Sequence, residues 1–276
     1  MFAVLLVLPL TAQEKVAGPE VITKFLKTKT CVVLDDNIFN AYNDEIKKAV
    51  VNSWTITPYE FIAMSEFEKR KFDPQYSFLV RTKDTYSADS DMMSYTFLSL
   101  LLGGKYGSVY HMPTLCSFPL SYYNVDYDKY VYQLGAIVKF VQGHVELTKS
   151  DPSLTEKNII RYYNSHTAAL SNKTFYVIPE EMATDVNTEA EIKAVYSKPF
   201  KLSDSDEIQT LIEDKDTESV FLHKVGPPKG SPKAARCFNI VMGCDDGTIY
   251  YVDFHKIGSK APDGFLKSDF KALNKQ

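Results

Sequence analysis

The 276-residue chain is 45% hydrophobic and 24% charged, a globular balance that excludes a disordered, collagen-like or disulfide-dense protein. Its formal net charge of −4 excludes the positive field that holds nucleic acid or anionic lipid, so no nucleic-acid partner is expected. The 18 Tyr and 17 Phe against one Trp suit half-buried strand positions, where the ring packs and the phenol stays wet.

Phe2 to Leu10 is an apolar run too short to span a bilayer. With Thr11-Ala12-Gln13 and the polar Glu14-Lys15 behind it, the run reads as a signal peptide over 1–12, cleaved after Ala12. No Lys or Arg precedes Phe2, so the small-then-polar transition carries this reading. No later segment has the roughly 18 uninterrupted apolar residues of a membrane helix. A periplasmic or secreted protein without a transmembrane segment in its mature chain is therefore expected.

A helical lead-in covers 13–28, and a first unit covers 29–112. Its β-branched apolar run over 30–34 predicts a buried strand. Ala41, Ile46, Ala49 and Val50 recur at helical spacing. A short strand over 54–57 follows, then a helix opened by Ser65 and Glu68 as a capping box. A strand over 77–83 leads into a hairpin of 94–102 and 108–111, turned by Gly103–Gly107. The segment 113–172 reads as a loop to Asp126 and two helices, 128–149 and 155–170, parted at Pro152. A second unit over 173–257 predicts strands at 174–178, 200–203 and 219–224, helices around Ile192 and over 204–212, and a hairpin of 236–242 and 248–257. The tail, 258–276, holds an Asp263-Gly264 turn and a short helix over 268–273.

The two units align at a nearly constant offset. Lys29-Thr30 matches Lys173-Thr174, Glu45-Ile46-Lys47 matches Glu191-Ile192-Lys193, and Trp54 matches Phe200. Asp73 with Phe78-Leu79 matches Asp216 with Phe221-Leu222, and Gly103 with Gly107 matches Gly243 with Gly247. The fold expected is α/β, at the margin of α+β, with two pseudo-repeats of order β-α-β-α-β-β-β joined by the two-helix insert. Helical crossovers make the first three strands of each unit parallel, and the hairpin adds antiparallel ones.

Motifs for chemistry are sparse. Gly103-Gly104-Lys105-Tyr106-Gly107-Ser108 lacks the Lys-Ser/Thr step and helix start of a phosphate loop. Gly226-Pro227-Pro228-Lys229-Gly230 fails because prolines remove N–H donors. Cys244-Asp245-Asp246-Gly247 is explained by turn chemistry, without the oxygen spacing of a calcium loop. No cofactor is expected.

Two constellations are candidates. Asp35-Asp36 and Glu180-Glu181 end the first strand of each unit, where parallel sheets bind ligands; paired acids there could hold a cation or act as acid and base. His223, Asp253 and His255, on neighbouring strands of the second unit, carry zinc- or iron-ligating side chains, and Val80 stands at the position of His223 in the first unit. Solvated loop and strand positions account for both sets as well, and the four cysteines read mostly as free thiols.

The Ala-Gln-terminated signal, the Tyr-rich strands, and the stretches Trp54-Thr55-Ile56-Thr57-Pro58-Tyr59-Glu60-Phe61 and Phe221-Leu222-His223-Lys224-Val225-Gly226-Pro227 resemble an uncharacterised family of exported bacterial proteins. The β-α-β-α-β order is similar to the N-terminal domains of periplasmic assembly factors of the TolB type. These resemblances imply an envelope location and supply no activity. The functional expectation is a non-catalytic binding or scaffold protein of the bacterial envelope, using the groove between the units or an exposed strand edge, with an envelope protein as its partner. The alternative is a metal-dependent or carboxylate-based hydrolase.

Overall fold

The computed structural model describes residues 16–37, 40–85, 94–123, 125–227 and 235–274. The signal expected over 1–12 and the Pro228-Lys229-Gly230 part of the proline-rich motif lie outside these residues. The chain is a mixed α/β protein with two five-stranded sheets.

Helix α1 (Pro19–Phe25) starts on a proline, whose missing N–H is one of the unpaired donors at any helix start. The first unit runs β1 (Lys29–Leu34), α2 (Ala41–Ser53), β2 (Tyr59–Ala63), α3 (Met64–Arg70), β3 (Tyr76–Asp84), β4 (Tyr95–Leu102) and β5 (Thr114–Tyr122). Its sheet order is β2-β1-β3-β4-β5, with β1 parallel to both neighbours and the later pairs antiparallel. A central parallel strand is covered on both faces, which is why Thr30 to Val33 are all buried.

Three local expectations are corrected. Residues 54–57 are not a strand: Trp54 caps α2, its Nε1–H donates to Thr57 Oγ1 (3.0 Å), and the second strand begins at Tyr59. Ser65 and Glu68 make no capping box, because α3 starts at Met64 and no side chain caps it. The fifth strand lies in the stretch read as a loop, whereas Val109–His111 is a 3-10 turn, so the first sheet runs past residue 112. Pro113 and Pro119 disguised that strand. Pro119 stands beside a register shift against Thr96 and Phe97, where its missing donor is tolerated.

The insert supplies α4 (Leu134–Ser150) and α5 (Ile159–Asn164), the latter continued by a 3-10 segment to Asn172. The second unit runs β6 (Thr174–Val177), α6 (Glu189–Lys193), β7 (Phe200–Leu202), α7 (Ser205–Glu213), β8 (Ser219–Val225), β9 (Arg236–Gly243) and β10 (Ile249–Lys256), and α8 (Lys267–Leu273) ends the tail. Thr188 and Glu191 form a capping box on α6, and Asp204 caps α7. The sheet order, β7-β6-β8-β9-β10, is that of the first unit, as two pseudo-repeats would give.

The hydrogen bonds fix which residues correspond. Thr30 N donates to Pro58 O and Phe175 N to Pro199 O; Lys29 N donates to Gln75 O and Thr174 N to Glu218 O. Asp35 therefore corresponds to Glu180, Asp36 to Glu181, Val80 to His223 and Arg81 to Lys224.

In this strand order successive right-handed crossovers run in opposite directions, so the two helices of a unit lie on opposite faces of its sheet. One continuous core joins Ile46 and Val50 of α2, Ile137 and Val141 of α4 and Ile208 of α7 to Leu79 of the first sheet and Phe221 of the second. Phe67 of α3 covers the outer face of the first sheet, while Ile192 of α6 and Phe270 of α8 cover that of the second. The first unit thus turns its first-helix face inward and the second unit its second-helix face. The stacking is head to tail, so corresponding residues meet different neighbours. The β9–β10 turn comes close to α4: Gly247 has φ 73°, and a Cβ there would sit 2.3 Å from Ala136 O. Cys31, Cys237 and Cys244 are buried free thiols.

Candidate functional site

The strand order reverses at β1, so a crevice opens beyond the carboxyl ends of β1 and β3, where open α/β sheets bind ligands. It is a cleft of about 330 Å³ bordered by Asp35, Asp36, Arg81, Lys83, Tyr123 and Tyr127, among others.

Asp35 is anchored from several sides. The buried Asn43, near the start of α2, accepts from Asp35 N (2.8 Å) and donates to the carbonyls of Asp35 (3.0 Å) and Asn37 (3.1 Å), fixing the loop after β1. The Asp35 carboxylate accepts from Tyr127 Oη (2.7 Å), from Asn37 N (3.2 Å) and from Arg81 Nη2. Burial works to raise this carboxyl, but the Tyr127 hydroxyl, the Asn37 N–H and the Arg81 guanidinium outweigh it, and it stays below the usual carboxylate range. Arg81 in turn lies 4.3 Å from the ring centre of Tyr42 and 5.0 Å from that of Tyr127, and donates to Tyr130 Oη (3.4 Å). The result is an ion pair held in a cage of tyrosines. Lys83, two steps along the same strand face, rests 4.0 Å from the ring centre of Tyr123 at the exposed mouth. Asp36 is exposed beside it.

The corresponding place in the second unit is filled. Lys224 pairs with Asp263 of the tail (2.5 Å), not with Glu180, which is exposed. The tail then runs along the end of β6: Phe265 N donates to Glu181 O (2.9 Å), and Ala183 N donates to Phe265 O (3.0 Å). Gly264, with φ 124°, permits this approach, since a Cβ there would meet Ala183 N at 2.5 Å. Phe265 is fully buried against Phe175 and Phe270. Glu181 is half-buried as a residue, yet its Oε2 is shielded with no hydrogen-bond partner among the described residues, and burial pushes its carboxyl up to about 8. Asp35 and Asp36 thus belong to an open cleft, and Glu180 and Glu181 to a plugged one.

His223, Asp253 and His255 are not brought together. His223 pairs with Ile240, which pairs with Val252, whereas Asp253 and His255 pair with Asn239 and Cys237 on the opposite face. His223 is buried between the units: its Nε2–H donates to Pro119 O (2.7 Å), and Nδ1 meets the Gln133 carboxamide. Burial lowers it to about 4 despite the Pro119 carbonyl, so the ring is neutral near pH 7. His255 donates to Pro262 O (2.8 Å). Among the described residues no group of three His, Cys, Asp or Glu is placed to hold a metal ion.

Sequence reasoning missed Arg81, Tyr127, Tyr130 and Asn43. Arg81 left only a weak signal, as the first charge after the apolar Leu79 on a strand face that also carries Ser77 and Lys83. Tyr127 and Tyr130 left none, because they come from the insert. Comparison with known proteins finds no matching family model, curated protein or solved structure.

Proposed function

We propose that this chain is a non-catalytic binding protein of the bacterial envelope, exported to the periplasm or beyond, whose first-unit crevice takes a small polar ligand. The observation that carries this reading is the asymmetry between two corresponding crevices: one is open and lined by a tyrosine-caged ion pair, the other is closed by the tail. Asp35 is committed to Arg81 and Tyr127 and held ionised, which suits a rigid binding wall and disfavours a general acid. Lys83 offers the ligand a cation at the mouth, so a small carboxylate is the ligand class of choice. The apolar run over 2–10 and the resemblance to exported bacterial proteins support the location.

A thermal-shift screen of small mono- and dicarboxylic acids tests the proposal. A stabilising acid whose shift disappears in Lys83→Met is expected. If no acid shifts the melting temperature, or if the shift persists in Lys83→Met, the assignment of this crevice fails.

A further inference from the structure

We propose that β2, an edge strand of the first sheet, docks an extended segment of another protein, which joins that sheet as a further strand. The site shares no residue with the crevice at Asp35 and Arg81.

Each sheet ends in two edge strands, β2 and β5 in the first unit and β7 and β10 in the second. An edge presents a row of unpaired N–H and C=O groups, and proteins blunt such rows with prolines, bulges, lysines, short strands or covering chain. Three of these edges are blunted. Along β10, the Asn164 carboxamide at the end of α5 accepts from Val252 N (2.7 Å) and donates to Val252 O (3.0 Å). Phe254 N on the same edge donates to the Asp253 carboxylate (2.8 Å). Strand β5 carries Pro119 and two register shifts, and Pro119 O accepts from His223 of the second unit (2.7 Å). Strand β7 has three residues, with Lys201 at its centre.

Strand β2 has none of these devices. It pairs with β1 in one unbroken parallel register, from Thr30–Tyr59 to Leu34–Ala63, with no proline or lysine among its five residues. Its one charge, Glu60, is tied to Arg70 Nη1 (2.9 Å) and Lys29 Nζ (3.3 Å). The register decides which backbone groups are left over. Thr30 N donates to Pro58 O, so Glu60 and Ile62 turn their backbone groups toward β1, and Tyr59, Phe61 and Ala63 turn theirs away. Ala63 caps α3, which takes its carbonyl. Tyr59 N and O, Phe61 N and O, and Ala63 N are left without a backbone partner among the described residues. Their spacing is that of a strand ladder, which another strand fits.

Side chains and area select the occupant. Tyr59 and Phe61 share the inner face as half-buried rings, 5.7 Å apart and edge to face, and Ile62 is buried on the outer face. Apolar β-branched side chains at alternate positions of the incoming segment pair well with such rings. A second copy of this chain fits less well, because two-fold pairing about Phe61 sets Glu60 opposite the Ile62 of that copy. A five-residue strand is also a narrow strip against the roughly 800 Å² per partner of a stable interface. An extended peptide draws on main-chain pairing instead, and suits a short edge.

Fluorescence anisotropy, amide NMR and sedimentation velocity on the full chain test the site. The probes are three labelled nonapeptides: one alternating Val and Thr, one with Lys in place of each Val, and one with Pro at its centre. The Val–Thr peptide should bind one to one, and the amides of Tyr59, Phe61 and Ala63 should shift and gain protection from hydrogen exchange. The Lys and Pro peptides should bind at least about tenfold more weakly. Phe61→Pro removes an outward N–H without touching the β1 ladder and should abolish binding. Phe61→Val keeps that N–H and should weaken binding no more than about threefold. If Phe61→Pro does not fold, exchange protection in the natural chain decides. The site is refuted if the Val–Thr peptide does not bind, if it protects amides elsewhere, if the Lys or Pro peptide binds equally, or if Phe61→Pro binds as the natural chain does. A peptide-free dimer that protects the same amides would overturn the occupant in favour of a second copy.

Discussion

The two crevices hold the same strand position, Arg81 in one and Lys224 in the other, and differ in where the balancing carboxylate comes from. In the first unit it is Asp35, from the end of β1, and among the described residues a cleft of about 330 Å³ lies there. In the second it is Asp263, from the tail, and the residues that follow fill the crevice with Phe265. Once a distant segment supplies the counter-charge, the local acids lose that role: Glu180 is left in solvent, and Glu181 Oε2 is shielded with no hydrogen-bond partner among the described residues. The same topology can thus make a site or a plug, depending on chain that lies outside the repeating elements.

The strongest way to break this comparison is to remove the plug. Phe265→Ala should cost about 4 kcal/mol by lost burial and cavity formation, read from urea unfolding. A cost below that of an exposed substitution would mean the tail is not part of the second core. Next comes the cage. Arg81→Met leaves Asp35 ionised and without its cation, and should cost about 2 kcal/mol. The double variant with Asp35→Asn should recover most of that loss, and additive costs in the double-variant cycle would refute the coupling.

The plugged crevice has a pH signature. Glu181 has a folded pKa near 8, raised from 4.5 by burial, so its contribution is complete below about 4.5 and is lost as pH rises toward 8. The slope in that window is at most about 1.4 kcal/mol per pH unit. Glu181→Gln, measured by unfolding from pH 5 to 9, should flatten that slope, whereas Asp36→Asn, at the corresponding exposed position, should leave it as it is. The smallest effect is expected at the open crevice: Tyr127→Phe removes one donor to Asp35 and should cost about 1 kcal/mol. Carboxyl NMR should then show the Asp35 pKa moving upward, and an unmoved value would take Tyr127 out of the cage.

Much of the fold was legible because its signals are local. Ala41, Ile46, Ala49 and Val50 at helical spacing marked α2, and the continuous apolar run over 30–34 marked the buried β1. The candidate site was half legible. Asp35 and Asp36 were found from their place at a strand end, but Tyr127 and Tyr130 reach Arg81 from the insert, at a separation no local pattern records. The fifth strand was missed because Pro113, just ahead of it, and Pro119, within it, carry loop chemistry, and only pairing with β4 makes the stretch from Thr114 to Tyr122 part of a sheet.

The sequence by itself determined most of the elements, their order along the chain and the parallel sense of the first three strands of each unit, because periodicity and crossover connections act over short stretches of chain. Tertiary structure decided which sheet face became the shared core, which put His223 inside where Val80 lies outside, and which crevice stayed open. Those outcomes rest on contacts between the insert, the tail and sheets far apart in sequence, where the free energy of burial depends on what each face meets.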